Sequence, residues 1–130
     1  MSESILKFID YKIDSVDFKL NKNFESENEE IAIAIHVERK VDIRKENFQL
    51  SLRAVIGSEE KTQPFKLDVV LVSIFETEGE VELLVDNATA IMYPYLRSFI
   101  TNVTAMFNIP SMTLPVVNIT KMFNDKESKT

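Results

Sequence analysis

The sequence predicts an α+β domain: a four-stranded antiparallel sheet with a long helix packed on one face, then an apolar linker and a short second helix. Two observations carry this reading. Apolar and polar residues alternate in four separate stretches of the first 77 residues, and from Ile91 onward the apolar spacing changes to three and four. A period of two marks a half-buried strand, and a period near 3.6 marks a helix. Strands that come first, joined by polar connections, favour an antiparallel sheet, with a meander as the expected strand order.

The elements follow in chain order. Residues 5–20, ILKFIDYKIDSVDFKL, alternate but change phase: Ile9, Tyr11 and Ile13 share one parity, and Val16, Phe18 and Leu20 the other. A strand cannot change parity without an extra residue, so a bulge or bend is expected near Asp14 and Ser15. Residues 21–30 are polar and read as a loop. In 30–43, Ile31, Ile33, Ile35 and Val37 share a face; in 47–56, Phe48, Leu50, Leu52, Ala54 and Ile56 do the same. Gly57-Ser58-Glu59-Glu60 is turn chemistry. The next strand, FKLDVVLVSIFE, is apolar at nearly every position from Val69 to Phe75, so cover is expected on both of its faces.

After Gly79, Ile91, Tyr95, Phe99, Val103 and Met106 with Phe107 form one helical stripe, expected to lie as core under the sheet, and Leu96 and Ile100 widen it to a second. Asp86 and Asn87 are suitable caps, and Pro94 is expected to begin or kink the main helix. Asn108 is placed to stop it. The segment IPSMTLPVV carries two prolines and is expected to be extended. Asn118 then caps a short second helix, and residues 125–130 form a polar tail. The domain is expected to span 1–124.

Composition narrows the function classes. The chain has 130 residues, 45% of them hydrophobic, enough for one domain with a real core. No apolar run of about 18 residues is present, which predicts no spanning helix. The start, MSESILKFID, lacks the pattern of a secretion signal, so the cytoplasm is the expected location. With 21 acidic against 15 basic residues the formal charge is −6, and the bases are interleaved with acids, as in VERKVDIRKE. Such a surface repels nucleic-acid phosphates. A basic or hydrophobic protein partner suits it better.

Catalytic chemistry is sparse. The chain has one histidine, His36, and no cysteine. A lone strand histidine is far more often a surface residue than a general base. No His or Cys pair has metal-ligand spacing, and two glycines cannot build a phosphate cradle. Neither an enzyme nor a bound cofactor or metal is expected.

The stretch from Ile91 to Phe123, "IMYPYLRSFITNVTAMFNIPSMTLPVVNITKMF", resembles the C-terminal half of the SecB family of export chaperones. That family carries L-F-P-Y-x-R, a helix of about 12 residues, F-P, and L-x-P-V-N-F. Met92-Tyr93-Pro94-Tyr95-Leu96-Arg97 matches the first block, Ile109-Pro110 the second, and Leu114-Pro115-Val116-Val117-Asn118-Ile119 the third. Tyr93 stands in the place of phenylalanine, Ile119 replaces an aromatic, and Val116 stands where proline is usual. The resemblance implies subunits paired through their sheets, with two dimers sandwiching their long helices into a homotetramer. The two apolar stripes of the helix support this independently, since one sheet covers only one side.

The same resemblance implies binding of unfolded polypeptides, either preproteins or an antitoxin. In exporting members a longer tail contributes to binding SecA, whereas some relatives guard an antitoxin in toxin–antitoxin–chaperone systems. Met106, Phe107, Ile109, Met112, Leu114, Val117, Met122 and Phe123 are the expected client groove, in which methionines repack around different sequences. Tyr95, Arg97, Phe99 and Asn102 are the expected helix and oligomer contacts. Two functions stand: a holdase that keeps unfolded chains soluble without nucleotide, or an adaptor subunit that binds one folded partner or a small apolar ligand.

Overall fold

A computed structural model describes residues 5–24, 33–45, 47–78 and 81–107. Among the described residues four strands, β1 (Ile5–Leu20), β2 (Ile35–Ile43), β3 (Asn47–Gly57) and β4 (Phe65–Glu78), precede one helix, α1 (Val81–Met106). The sheet is antiparallel throughout, in the order β1-β4-β3-β2. The architecture is the predicted one, but the strand order is not a simple meander. β2, β3 and β4 follow one another, and β1 lies on the far edge against β4. The lengths explain the choice: β1 has 16 residues and finds partners along 14-residue β4 from Ile5↔Glu78 to Leu20↔Phe65, whereas β2 offers only 9.

The phase change in β1 is a break in register between Ile13 and Ser15, where it was expected, with a second between Phe8 and Asp10. The two extra residues return the apolar positions to one side. Leu6, Phe8, Tyr11, Ile13, Val16, Phe18 and Leu20 all lie opposite β4 residues of the same row, from Thr77 to Phe65. That row of β4, with Phe48, Leu50, Leu52, Ala54 and Ile56 of β3, is the buried side of the sheet. Phe48 stacks on Phe75 with ring centroids 5.4 Å apart. Ser73 belongs to the same row and donates its hydroxyl to the Leu50 carbonyl at 3.0 Å, so burying it leaves no orphaned donor.

The outer row of β4 is not covered as expected. Val70 and Val72 are half-buried and Ile74 is exposed. Their cross-strand neighbours are polar: Arg53 and Ser15 for Val70, Ser51 and Lys12 for Val72, Gln49 and Asp10 for Ile74. Long stems beside aliphatic residues supply part of the cover that a second layer would give. On this face the Arg53 guanidinium donates to both Asp68 oxygens, at 2.9 and 2.6 Å, and to Glu38 at 3.0 Å. The hydrogen bond from Arg53 holds the Asp68 carboxyl below its usual range, and the same bond raises Arg53. Asp68 therefore adds stability above its unfolded pKa and loses it as pH falls through its lower folded value. The group is near the surface, so the contribution is small.

The helix begins at Val81, before the expected caps. Asp86 is instead turned sideways. Arg39 stands on the core row of β2, opposite Leu52, and its side chain is only 5% exposed. It donates to the Asp86 carboxylate at 2.7 Å and to the Thr89 hydroxyl at 3.2 Å. A cation in this position is tolerated because it is paired and hydrogen-bonded. Asp86→Ala is expected to destabilise the fold by about 2–3 kcal/mol, since it leaves a buried cation uncompensated. Replacing both Arg39 and Asp86 with leucine should recover most of that loss; urea denaturation of the two variants would test it.

This tie holds one flank of α1 beside β2. Ala88, Met92, Tyr93, Leu96 and Ile100 are buried against the sheet, Phe99 and Val103 pack at the margin, and Ile91 and Tyr95 are exposed. The expected core stripe through Ile91 and Tyr95 is thus the flank, and the second stripe through Leu96 and Ile100 is the core. Thr104 is buried too, its hydroxyl bonded back to the Ile100 carbonyl at 2.8 Å. Pro94 lies inside the helix without ending it. Pro94 and Ala90, whose carbonyl ordinarily accepts from the N–H that proline lacks, are both on the exposed side. Asn108, the linker, the second helix and the tail fall outside the described residues.

Candidate functional site

The helix is held to β2 on one flank by Arg39, and its other flank runs along β1. Tyr95 meets Tyr11 with ring centroids 4.8 Å apart, and twelve residues on Phe107 stacks on Phe18 at 4.2 Å. β1 and α1 therefore run in the same direction, side by side. Around Tyr95 the cluster extends to Phe8, which lies 6.4 Å from Tyr95, 6.2 Å from Tyr11 and 5.6 Å from buried Phe75. At the other end Phe18 also contacts Phe65 at 5.8 Å. Between β1 and α1 lies an apolar face with an aromatic cluster at each end.

Much of this face is open. Phe8, Tyr11, Val16 and Leu20 of β1 are exposed. Met106 is 81% exposed and Phe107, although stacked, 37%. So many large apolar side chains uncovered on one side of a small domain make this face the candidate interaction surface.

The outward side of α1 differs in kind. Asn87, Ala90, Ile91, Pro94, Tyr95, Ser98, Asn102, Ala105 and Met106 are all exposed, and none is charged. A helix that faces water ordinarily carries charged residues there. Depletion of charge beside an exposed tyrosine and methionine is a feature that interface cores also have.

Of the expected contact residues, Tyr95 and Asn102 are exposed on this side, Phe99 is at the margin of the core, and Arg97 is half-buried and engaged in an interaction. Tyr93, from the same block, is buried, and burial pushes its phenol above its ordinary value despite the opposing effect of Arg97. Of the expected groove residues, Met106 and Phe107 lie together at the end of α1. Ile109, Met112, Leu114, Val117, Met122 and Phe123 fall outside the described residues. The contribution of β1 was not anticipated. Its signal was present, since seven apolar residues in one row, three of them aromatic, exceed what an edge strand needs for packing.

His36 lies on the outer sheet face, 3.6 Å from Glu38, with both side chains exposed. Among the described residues no group of three or more His, Cys, Asp or Glu side chains is placed to hold a metal ion. No described helix is long and apolar enough to cross a membrane.

No family model matches the chain. It is 28% identical over 132 residues to an uncharacterized protein of Methanocaldococcus jannaschii, an alignment covering 94% of this chain and 84% of that protein. Solved structures that share the fold include the following two. One, from Streptococcus agalactiae and of unknown function, superposes with a TM-score of 0.57 at 17% identity, over 88% of this chain and 100% of that one. The other is the SecB-like chaperone of Mycobacterium tuberculosis, in complex with a ChAD peptide from the HigA1 antitoxin. It superposes with a TM-score of 0.71 at 13% identity, over 87% of this chain and 91% of that one. The fold of this chain is SecB-like.

Proposed function

We propose that this chain is a molecular chaperone of the holdase type, which binds unfolded or partly folded polypeptides by apolar contact, in the cytoplasm and without nucleotide, metal or cofactor. The observation that carries the reading is the open apolar face between β1 and α1, with Met106 and Phe107 at its end. The mycobacterial protein of the same fold was solved with an antitoxin peptide bound, which supports peptide clients here. An antitoxin or an exported preprotein, the latter with SecA as receiver, is the client class the reading favours. Ile109, Met112, Leu114, Val117, Met122 and Phe123 follow Phe107 in sequence and are proposed as further lining.

Apolar contacts suit such a task. Burying one leucine-sized side chain is worth about 1.5–3 kcal/mol, so several together hold an extended chain without reading its sequence. We assign the uncharged side of α1, with Tyr95, Phe99 and Asn102, to assembly as a homotetramer built from two dimers, with Arg97 contributing a polar contact at that interface.

The test is suppression of aggregation. Three unrelated unfolded proteins should stay soluble at stoichiometric ratios of this chain; aggregation that proceeds equally fast in its presence would overturn the proposal. Met106 and Leu20 are exposed, so changing both to serine should move the melting temperature little. It should weaken client binding about five- to tenfold, the equivalent of about 1–1.4 kcal/mol. Unchanged affinity in a titration by fluorescence anisotropy would remove these residues from the site.

A further inference from the structure

We draw no further inference here: the strongest candidate, the open cavity of about 650 Å³ at the end of β1 that Lys19, Lys22 and Lys66 help to line, carries nothing because Glu59 stands 3.9 Å from Lys19 and Asp17 and Asp68 line the adjoining surface with Lys19 and Lys66, leaving no excess charge there to select an anion.

Discussion

Gly57→Ala is expected to lower stability by about 3–4 kcal/mol, the largest loss from adding one carbon anywhere in the described sheet. Gly57 ends β3 with φ at +78°, where a side chain is already strained. Space is the greater obstacle. A Cβ built on this backbone would lie 1.8 Å from the Phe65 carbonyl oxygen and 2.9 Å from its carbon. Those are main-chain atoms of the adjoining strand and cannot swing aside. The peptide N–H of Gly57 also donates to the Ala34 carbonyl at 2.7 Å, so moving Gly57 away from β4 disturbs the start of β2 as well. Urea denaturation should show a lower midpoint at unchanged slope. A loss below about 1 kcal/mol would mean that the β3–β4 connection relaxes far more easily than this geometry allows.

Replacing Ile91 and Tyr95 together with aspartate is expected to dissociate the proposed tetramer. Both side chains are exposed on the uncharged side of α1, so the monomer should keep its helix content. At a helix–helix contact each carboxylate would be buried without a partner, at a cost of several kcal/mol per site. Even about 3 kcal/mol over the whole contact weakens association roughly a hundredfold. Light scattering at micromolar concentration should fall to the mass of a smaller species, whereas Glu38→Gln on the opposite sheet face should leave the mass unchanged. A wild-type protein that scatters as a monomer would refute the assembly outright.

The sequence made the sheet legible where alternation was uninterrupted. Phe48 through Ile56 are buried at every second position, as their pattern required, and the phase change in β1 correctly announced a bulge at Asp14. Alternation assigns a residue to a face, however, and says nothing about which strand lies beside it. The place of β1 next to β4 was therefore hidden, because it depends on strand length and on the path of a connection. The helix was legible in length but not in rotation. Two adjacent stripes are both apolar, and periodicity cannot choose between Tyr95 and Leu96. The fold buries Leu96, and Arg39 holds the helix in that orientation through a contact with Asp86 and Thr89 that no local pattern could reveal. The candidate site was legible only in part for the same reason: Met106 and Phe107 stood out at the helix end and are exposed there, while the β1 wall proposed beside them required knowing the strand order.

The position of β1 has a consequence for the order in which the domain is built. β2, β3 and β4 are joined by short connections, so each pairing closes a small loop. β1 must find β4 across the rest of the sheet, with Leu20 meeting Phe65 and Ile5 meeting Glu78. Closing that larger loop costs more chain entropy, and such non-local contacts slow the search. The local hairpins are therefore expected to form first, with β1 adding to them. Once it has docked, the Asn21 side-chain amide donates to the Glu60 and Gln63 carbonyls at 2.7 and 2.9 Å, and its backbone N–H to the Pro64 carbonyl at 2.9 Å. The Gln63 side-chain carbonyl in turn accepts from the Ala34 N–H at 2.9 Å. One small polar knot thus ties β1 to the β3–β4 connection and the start of β2, and the apolar wall that β1 contributes requires β1 to be docked on β4.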